Sequence, residues 1–543
     1  MSADHLSVIE PLAALNKRCR DLTKQLAKMC APSGRLDGDC LDEQQVAIYE
    51  LSFATAELAG AHASLAYAAR ANDVLATQLA SHYGGDVMGS VARRLDVISD
   101  ALQQPVARTN THVVAPGRAQ IHDICAELSA RAGELGPDLI DEDKRLMRAT
   151  FRQFANSVVA PLAESVHRED RMIPKEIIGG LQALGCFGLC VPEAYGGVRP
   201  DDRDDSLGML VATEELSRAS LGAAGSLITR PEILARALLE GGTETQKRHW
   251  LPRLARGEPM CAVSVTEPNT GSDVAAANMR ATRTAGGWLL NGGKTWCTFA
   301  GRAGVIMVIA RTDPDARPLH KGLTLFLIEK PETEANHFEY ADGRGGCVTG
   351  RAIPTLGYRG MHSFETFYDN FFVPNSHVIG EEAGLGRGFY FTMRGFTGGR
   401  LQTAARATGL MQAAYDAALR YAQQRVVFGK PVADYPLTEA KLVRMAAHLQ
   451  SCRQLSYDVA ELMDSGEGQM DASLVKLLAC KAAEWVTREA MQIHGGMGYA
   501  EETPVSRYFV DARVLSIFEG TEETLALRVI GKELLERALQ GAN

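Results

Sequence analysis

Apolar residues recur with helical spacing near the N-terminus of the chain. Leu51, Leu58 and Leu65 follow one another at seven-residue steps, and Ile48 and Ala61 fall on the same stripe. A stripe with this period is typical of an amphipathic helix. Because no proline interrupts the chain on either side of the stripe, the pattern predicts a region of long helices.

Proline and glycine then divide the chain. The polar stretch 105–116 begins and ends with proline, which predicts a linker. Between residues 141 and 245, helical patterns are interrupted by prolines and by glycine pairs, so several short helices are expected. Beyond Gly399 long helical stretches return, as in a helical bundle.

The region between these helical parts has a different pattern. From 260 to 374 the chain contains two apolar runs of strand length, at 305–310 and 323–328. An apolar segment also precedes Asn291-Gly292, a pair that commonly forms the turn of a hairpin. We therefore predict a β-rich region with a hairpin at Asn291-Gly292.

The order of these regions predicts an α+β multidomain protein. No GxGxxG motif follows a predicted strand, which disfavours a Rossmann dehydrogenase. The expected parts are an N-terminal helical extension, an N-terminal α domain, a middle β domain and a C-terminal helical bundle, at 1–135, 136–258, 259–390 and 391–543.

Composition and charge exclude several classes of function. The chain has 57 basic and 66 acidic residues, and its net charge of −9 argues against a general nucleic-acid binder. Its 11 cysteines form no CxxC pair or ligand-spaced cluster, so no metal site is predicted. Charges throughout the first residues leave no secretory signal, and no apolar run approaches the ~20 residues of a membrane span. A soluble, cytoplasmic protein is expected.

The chemical information lies in short motifs. They are CAVSVTEPNTGSD (261–273), GKTWCT (293–298), RVVFGK (425–430), QIHGGMGY (492–499) and IFEGT (517–521). Each motif alone is a weak signal, since Thr, Asn, Gly, Ser and Asp are ordinary turn formers. Their order along the chain is specific.

On these motifs the chain resembles the acyl-CoA dehydrogenase family, from about Asp141 to the C-terminus. The resemblance implies an N-terminal α domain, a middle β domain and a C-terminal four-helix bundle, preceded here by the extra helical extension. It implies FAD as cofactor, held between the β domain and the bundle. It also implies an acyl-CoA substrate and a homo-oligomer that is at least a dimer.

The positions that match the family's FAD contacts form two groups. The first group lies in the predicted β domain and comprises Val265, Thr266, Trp296 and Thr298. Within it, the resemblance implies that Trp296 stacks near the flavin and that Thr298 bonds close to flavin N5. The second group lies in the predicted bundle and comprises Arg425, Phe428, Gln492, Gly495, Gly496 and Thr521. Most of this group match positions that, in the family, contact the FAD of a neighbouring subunit.

Glu519, in the IFEGT motif, matches the family's catalytic base. An α proton of a thioester is weakly acidic, so its removal requires a base aligned with a polarised carbonyl group. The resemblance implies that flavin N5 then takes the β-hydrogen as a hydride. The alternative is that Glu519 caps a helix or makes a salt bridge at a helix end. Its separation from His494 fits the family pattern and favours catalysis.

Four residues are assigned to the substrate. By motif, Ser272 lies beside the CoA portion, Gly520 follows the base, and Arg400 matches an arginine near it. Arg230 corresponds by position to a helix that lines the far end of the family's acyl pocket. A guanidinium there suits a substrate that ends in a carboxylate. The alternative is that Arg230 pairs with Glu232 or another acid of the protein.

The added N-terminal region narrows the substrate. Within the family, methylsuccinyl-CoA dehydrogenases resemble this chain in length and in possessing such a region. The resulting prediction is oxidation of (2S)-methylsuccinyl-CoA to mesaconyl-CoA, a step of the ethylmalonyl-CoA pathway, with electron-transferring flavoprotein as acceptor. A glutaryl-CoA-type or a short- or branched-chain acyl-CoA dehydrogenase stays open, as does an acyl-CoA oxidase. A DNA-binding relative is disfavoured, because residues 397–543 carry 16 basic and 18 acidic side chains.

Overall fold

The computed structural model describes residues 3–104 and 117–541. The linker predicted at 105–116 lies outside the described residues. The chain forms two compact units. The first consists of Met1–Leu146 with Thr403–Asn543, and the second of Met147–Gln402.

The helices, in chain order, are α1 (Ala3–Met29), α2 (Gly38–Glu43), α3 (Gln45–Ala71), α4 (Val74–Ala101), α5 (Arg118–Ala130), α6 (Glu142–Phe154), α7 (Ala160–Arg168), α8 (Lys175–Ala183), α9 (Ser206–Ala219), α10 (Thr229–Gly241), α11 (Glu244–Arg256), α12 (Gly388–Gln424), α13 (Pro436–Asp464), α14 (Gln469–His494), α15 (Gly496–Tyr499), α16 (Pro504–Leu515), α17 (Glu522–Thr524) and α18 (Lys532–Leu539). The strands are β1 (Cys261–Ser264), β2 (Arg280–Thr284), β3 (Gly287–Thr298), β4 (Val305–Arg311), β5 (Leu323–Glu329), β6 (His337–Ala341), β7 (Cys347–Ile353), β8 (Ser363–Pro374), β9 (Val426–Val427) and β10 (Lys430–Pro431). Among the described residues, no helix is both long and apolar enough to cross a membrane.

The first unit joins the two ends of the chain. The leucine stripe predicted as helical lies on α3 and is buried. At Gly60 the backbone of α3 comes so close to the C-terminal helices that an added Cβ would lie 2.8 Å from Leu478 Cδ2 and 2.9 Å from Ser451 Oγ. Gln450 of α13 donates to Ser64 Oγ at 3.0 Å. The N-terminal extension and the bundle therefore share one core.

Polar contacts reinforce this shared core. Asp86 of α4 accepts hydrogen bonds from Arg444 and forms a 2.8 Å contact with His448, both on α13. Nearer the C-terminus, Tyr49 of α3 donates to Glu522. Ser52 Oγ, one helical turn further, donates to Ala526 O at 2.7 Å.

The second unit contains an eight-stranded sheet with the order β1-β4-β2-β3-β8-β7-β6, and β5 pairs with β4. β4 is parallel to β1 and β2, and the other pairs in this sheet are antiparallel. Apolar side chains such as Ile306, Val308 and Phe326 fill the core on the sheet. The two predicted apolar strands are confirmed as β4 and β5.

The hairpin predicted at Asn291-Gly292 is wrong. β3 continues through both residues, and the turn that joins it to β2 lies at Ala285-Gly286. Pairing with β8 shifts in register between Leu290 and Gly292, where Gly292 has φ +138°. An added Cβ there would lie 3.1 Å from Met279 Cγ, so the glycine serves a β-bulge and a close backbone approach.

The helical, strand-rich and helical regions follow one another as predicted. The division at 1–135, 136–258, 259–390 and 391–543 stays a prediction. The described residues contain no group of three or more His, Cys, Asp or Glu side chains that could hold a metal ion.

Candidate active site

The loop after β1 and the end of β3 lie side by side in the second unit. Thr295 N donates to Thr266 O at 2.9 Å, and Lys294 Nζ donates to Val265 O at 2.9 Å. Val265, Thr266 and Trp296, which the resemblance assigns to FAD, are therefore brought together. Ser272, assigned to CoA, is exposed in the loop after β1.

A buried ion pair that the sequence analysis missed stabilises this region. Lys294 Nζ lies 2.8 Å from Glu267 Oε1, and Glu267 also accepts from the backbone N–H groups of Asn278 and Met279. Burial alone would raise the pKa of Glu267, but Lys294 and the two N–H groups outweigh it and lower that pKa. Burial lowers the pKa of Lys294, an effect that Glu267 opposes. Glu267 belongs to the motif at 261–273 and Lys294 to the motif at 293–298, so the two motifs could have indicated this pair.

Trp296 has an unusual combination of conformation and exposure. Its backbone has φ +57°, a conformation that costs a non-glycine residue on the order of 1 kcal/mol. Its side chain is 55% exposed although it is a large aromatic. Beside it, Thr298 is buried and its Oγ1 lies 2.9 Å from Ser363 Oγ. An exposed indole on a rigid strand fits a flat aromatic ligand such as a flavin ring.

Arg230 lies in the first turn of α10 and is only 8% exposed. Its Nη1 is buried and has no hydrogen-bond partner among the described residues. The alternative of a pair with Glu232 is wrong. Glu232 instead binds Arg236 at 2.8 Å and accepts from Gln402. A buried guanidinium nitrogen without an acceptor is costly and marks a place where an anion would bind.

Glu519 lies in the first unit, in the turn between α16 and α17. Its side chain is 7% exposed and its backbone has φ +56°. Thr403 Oγ1 donates to Oε2 at 2.8 Å. Arg406 Nη2 donates to Oε1 at 2.9 Å and to Oε2 at 3.1 Å. The salt bridge considered as an alternative to catalysis is thus present, but it is buried and it orients the carboxylate.

Arg406 was missed by the sequence analysis, which selected Arg400 on the same helix. Arg400 is half-buried in the part of α12 that belongs to the second unit. Arg406 is completely buried, and its guanidinium carbon lies 4.9 Å from the centre of the Phe518 ring. Its guanidinium donates to both carboxylate oxygens of Glu519 and so fixes the orientation of that carboxylate.

The residues that follow Glu519 end the turn. Gly520 has φ +100°. Thr521 caps α17, since its Oγ1 accepts from Thr524 N at 3.2 Å. Gly520 directly follows Glu519 in the motif, and Thr521 follows Gly520.

The second group of predicted FAD residues is exposed. Phe428 lies in the β9–β10 hairpin, is 98% exposed and has φ +47°. The other exposed members are Arg425, Gln492, Gly495 and Gly496. An apolar ring held in solvent by strained backbone indicates an interaction surface.

His494 has a structural position beside this group. Its ring stacks on Tyr421 with centroids 4.3 Å apart, and its Nδ1 lies 2.8 Å from Ala490 O. Burial lowers the pKa of His494. It is packed and hydrogen-bonded.

Known proteins resemble the chain in both sequence and fold. Three family models match it, described as the acyl-CoA dehydrogenase N-terminal, middle and C-terminal domains, at residues 141–258, 262–371 and 386–535. The (2S)-methylsuccinyl-CoA dehydrogenase of Cereibacter sphaeroides is 35% identical over 560 residues, which cover 99% of this chain and 98% of that protein.

Two solved structures show the similarity of the fold. Butyryl-CoA dehydrogenase from Megasphaera elsdenii matches with a TM-score of 0.66 and 31% identity, over 74% of this chain and 100% of that one. A glutaryl-CoA dehydrogenase from Mycobacterium smegmatis in complex with FADH2 matches with a TM-score of 0.63 and 27% identity, over 73% of this chain and 95% of that one.

Proposed function

Because the chain belongs to the acyl-CoA dehydrogenase family of FAD-dependent oxidoreductases that act on CH–CH groups, we propose that it oxidises a short dicarboxylyl-CoA thioester. The proposed substrate is (2S)-methylsuccinyl-CoA and the product mesaconyl-CoA. The predictions of family, fold class and cofactor are confirmed by these matches. The substrate, the roles of individual residues, the oligomeric state and the electron acceptor are proposed.

The observation that carries the substrate class is the buried Nη1 of Arg230, which has no acceptor among the described residues. A carboxylate at the far end of the acyl group would supply that acceptor and balance the charge. Two of the relatives are named for dicarboxylyl thioesters, methylsuccinyl-CoA and glutaryl-CoA. The methylsuccinyl-CoA enzyme also matches over 99% of the chain, which includes the N-terminal extension.

Glu519 is proposed as the base that removes the α proton of the thioester. The proton passes from Cα to a carboxylate oxygen of Glu519. Arg406 and Thr403 hold that carboxylate in one orientation before the substrate arrives, which reduces the reorganisation that proton transfer requires. Arg400 and Gly520 are proposed as further substrate-binding residues.

FAD, when bound, supplies the acceptor for the hydride that leaves Cβ. Val265, Thr266, Trp296 and Thr298 are proposed to hold its flavin ring, and Ser272 to bind the CoA portion. The exposed group is proposed to contact the FAD of a second subunit, in a homo-oligomer that is at least a dimer. That group comprises Arg425, Phe428, Gln492, Gly495 and Gly496, and Thr521 is proposed as a further cofactor contact.

The electrons are proposed to leave through electron-transferring flavoprotein, and the enzyme is proposed to work in the cytoplasm. Family membership supports the acceptor. An oxidase would instead transfer the electrons to oxygen. Peroxide production during aerobic turnover distinguishes the two, because only the oxidase forms it in proportion to product.

Anaerobic titration of the FAD-loaded enzyme tests the substrate proposal. The panel consists of (2S)-methylsuccinyl-CoA, glutaryl-CoA, butyryl-CoA and isobutyryl-CoA, and the readout is bleaching of the flavin absorbance. We expect methylsuccinyl-CoA to bleach the flavin at the lowest concentration. Bleaching by butyryl-CoA at lower concentrations than by either dicarboxylyl thioester would contradict the proposal.

A further inference from the structure

One buried ammonium group contacts the backbone on both sides of Glu519. Lys476 lies on α14 and is 1% exposed. Its Nζ donates to Phe518 O at 2.6 Å and also to Gly520 O. These are the carbonyl groups of the residues immediately before and after Glu519. The contact is made to the backbone, whereas Arg406 and Thr403 bind the carboxylate.

The backbone at this point requires support. Glu519 and Gly520 both have positive φ, at +56° and +100°. A glutamate rarely adopts this conformation, and it persists only where its surroundings determine it. Two carbonyl groups that converge on one ammonium provide such a constraint, because rotating the Glu519 backbone out of the left-handed region would carry at least one carbonyl away from Nζ.

We propose that Lys476 is a positioning residue for the catalytic base. It fixes the backbone from which the Glu519 side chain projects, so that the carboxylate meets the α proton of the thioester in register. The inference rests on the proposed role of Glu519 as base. It assigns Lys476 no contact with the substrate or with FAD.

This role predicts a specific pattern of defects. Without Lys476 the turn can relax, and the carboxylate loses its alignment with Cα. A misplacement of this kind costs about 100-fold in rate when reacting groups are otherwise aligned. Binding of CoA and of FAD involves other residues and should change little. Proton removal should therefore fall while KM and FAD content are retained.

The test measures proton removal separately from hydride transfer. The holoenzyme is reduced with dithionite, so that its flavin can accept no hydride, and is incubated with methylsuccinyl-CoA in D2O. Mass spectrometry then reports exchange of the α proton. The variants are Lys476→Met and Lys476→Gln, with Lys481→Met as the matched control. Lys481 is an exposed lysine on the same helix that pairs with Glu522 at 3.3 Å.

We expect Lys476→Met to lower both kcat and the exchange rate by about 100-fold, with KM and FAD content close to wild type. Lys476→Gln keeps a hydrogen-bond donor and should retain more exchange than Lys476→Met. Lys481→Met should stay within about twofold of wild type, since exposed ion pairs contribute little. If Lys476→Met does not bind FAD, Lys476→Gln is judged by the same comparison with the control.

Glu519→Gln separates this inference from the proposed function. If Glu519→Gln keeps wild-type exchange, Glu519 is not the base and the proposed function fails. If Glu519→Gln abolishes exchange but the folded Lys476 variants exchange as fast as Lys481→Met, the positioning role is overturned. An equal loss of kcat and of FAD content, with exchange per bound FAD unchanged, overturns it as well.

Discussion

The turn that contains Glu519 and the start of α10 each hold a buried charge, and in the part of the chain that the structure describes only the first of the two charges has hydrogen-bond partners for its charged atoms. Glu519 accepts hydrogen bonds from Thr403 and Arg406 at 2.8 to 3.1 Å. Nη1 of Arg230 has no acceptor among the described residues. A charge that the protein satisfies is oriented before the substrate arrives. A charge that the protein leaves unsatisfied can be neutralised by the substrate itself.

The free-energy consequences of the two arrangements differ. Removing one partner of a buried ion pair leaves the other partner uncompensated and costs about 3–5 kcal/mol. Removing a buried charge that has no partner relieves a cost instead. Variants at the two positions should therefore change stability in opposite directions, while both reduce activity.

The largest effect is expected for Glu519→Gln. The amide cannot accept the α proton, so kcat should fall about 1,000-fold or more, and Arg406 loses its ionised partner, so the melting temperature should also fall. Steady-state assay, FAD quantification and thermal unfolding measure these changes. Wild-type turnover at normal FAD content would contradict the role of Glu519.

Arg230→Met should change substrate preference and raise stability. Wild type should favour methylsuccinyl-CoA over its uncharged methyl ester by about 100-fold in kcat/KM, because the ester leaves the guanidinium unpaired. The variant should show no such preference, and its free energy of unfolding should rise by about 1–3 kcal/mol. An unchanged preference in the variant would contradict carboxylate binding.

Arg236→Met on the same helix is the matched control. Arg236 pairs with Glu232 and with Asp204, both at 2.8 Å. Its loss leaves acids uncompensated, so this variant should be less stable than wild type and should keep the preference for the dicarboxylyl thioester. Comparing the two variants thus distinguishes an arginine that binds the substrate carboxylate, Arg230, from one that only stabilises the protein, Arg236.

A smaller effect is expected for Tyr49→Phe, which removes one hydrogen bond to a residue near Glu519. Tyr49 of the N-terminal extension donates to Glu522, three residues after Glu519. Removing this hydrogen bond should lower the free energy of unfolding by about 1 kcal/mol and leave kcat within about twofold of wild type. The dicarboxylyl preference should not change. A changed preference would show that the support of the base and the recognition of the carboxylate are not separable.

The last prediction concerns stability alone and involves a buried group that the protein keeps neutral. Burial lowers the pKa of His82 to about 4, against the opposing effect of Asp86. Between about pH 6.5 and pH 4 the unfolded chain binds a proton at His82 that the folded chain does not. The free energy of unfolding should therefore decrease as the pH is lowered from about 6.5 to 4, by at most about 1.4 kcal/mol per pH unit from this residue.

The control for this pH effect is His82→Asn, which removes the titrating ring. Urea unfolding at several pH values compares the two proteins. The variant should show a shallower loss of stability between pH 6.5 and pH 4. An identical pH dependence in both proteins would assign the loss to other groups.

Sequence patterns predicted those features of the fold that depend on local periodicity. The helical stripe, both central strands and the order of the regions are of this kind. The hairpin at Asn291-Gly292 failed because an Asn-Gly pair fits a bulge as well as a turn. Which of the two forms is decided by pairing of β3 with β8, and that strand lies far along the chain.

The site shows the same limit. Motifs located Glu519 and the residues assigned to FAD, because each motif is local. The side chains that hold Glu519 are distant in sequence, Arg406 by 113 positions. Lys476 is 42 positions from Phe518, whose carbonyl oxygen accepts one of its hydrogen bonds. Contacts of this kind arise only when helices pack, and no spacing rule reports them.

The shared core of the first unit has a consequence for biosynthesis. Its two parts, Met1–Leu146 and Thr403–Asn543, are separated by the whole of the second unit. On the ribosome, α3 and α4 emerge before the second unit, but α13 and α14, which cover Gly60 and Ser64, emerge after it. Until then the apolar faces of the N-terminal helices are exposed to aggregation. The N-terminal extension is synthesised before the whole second unit, and it completes its packing only after that unit has been made.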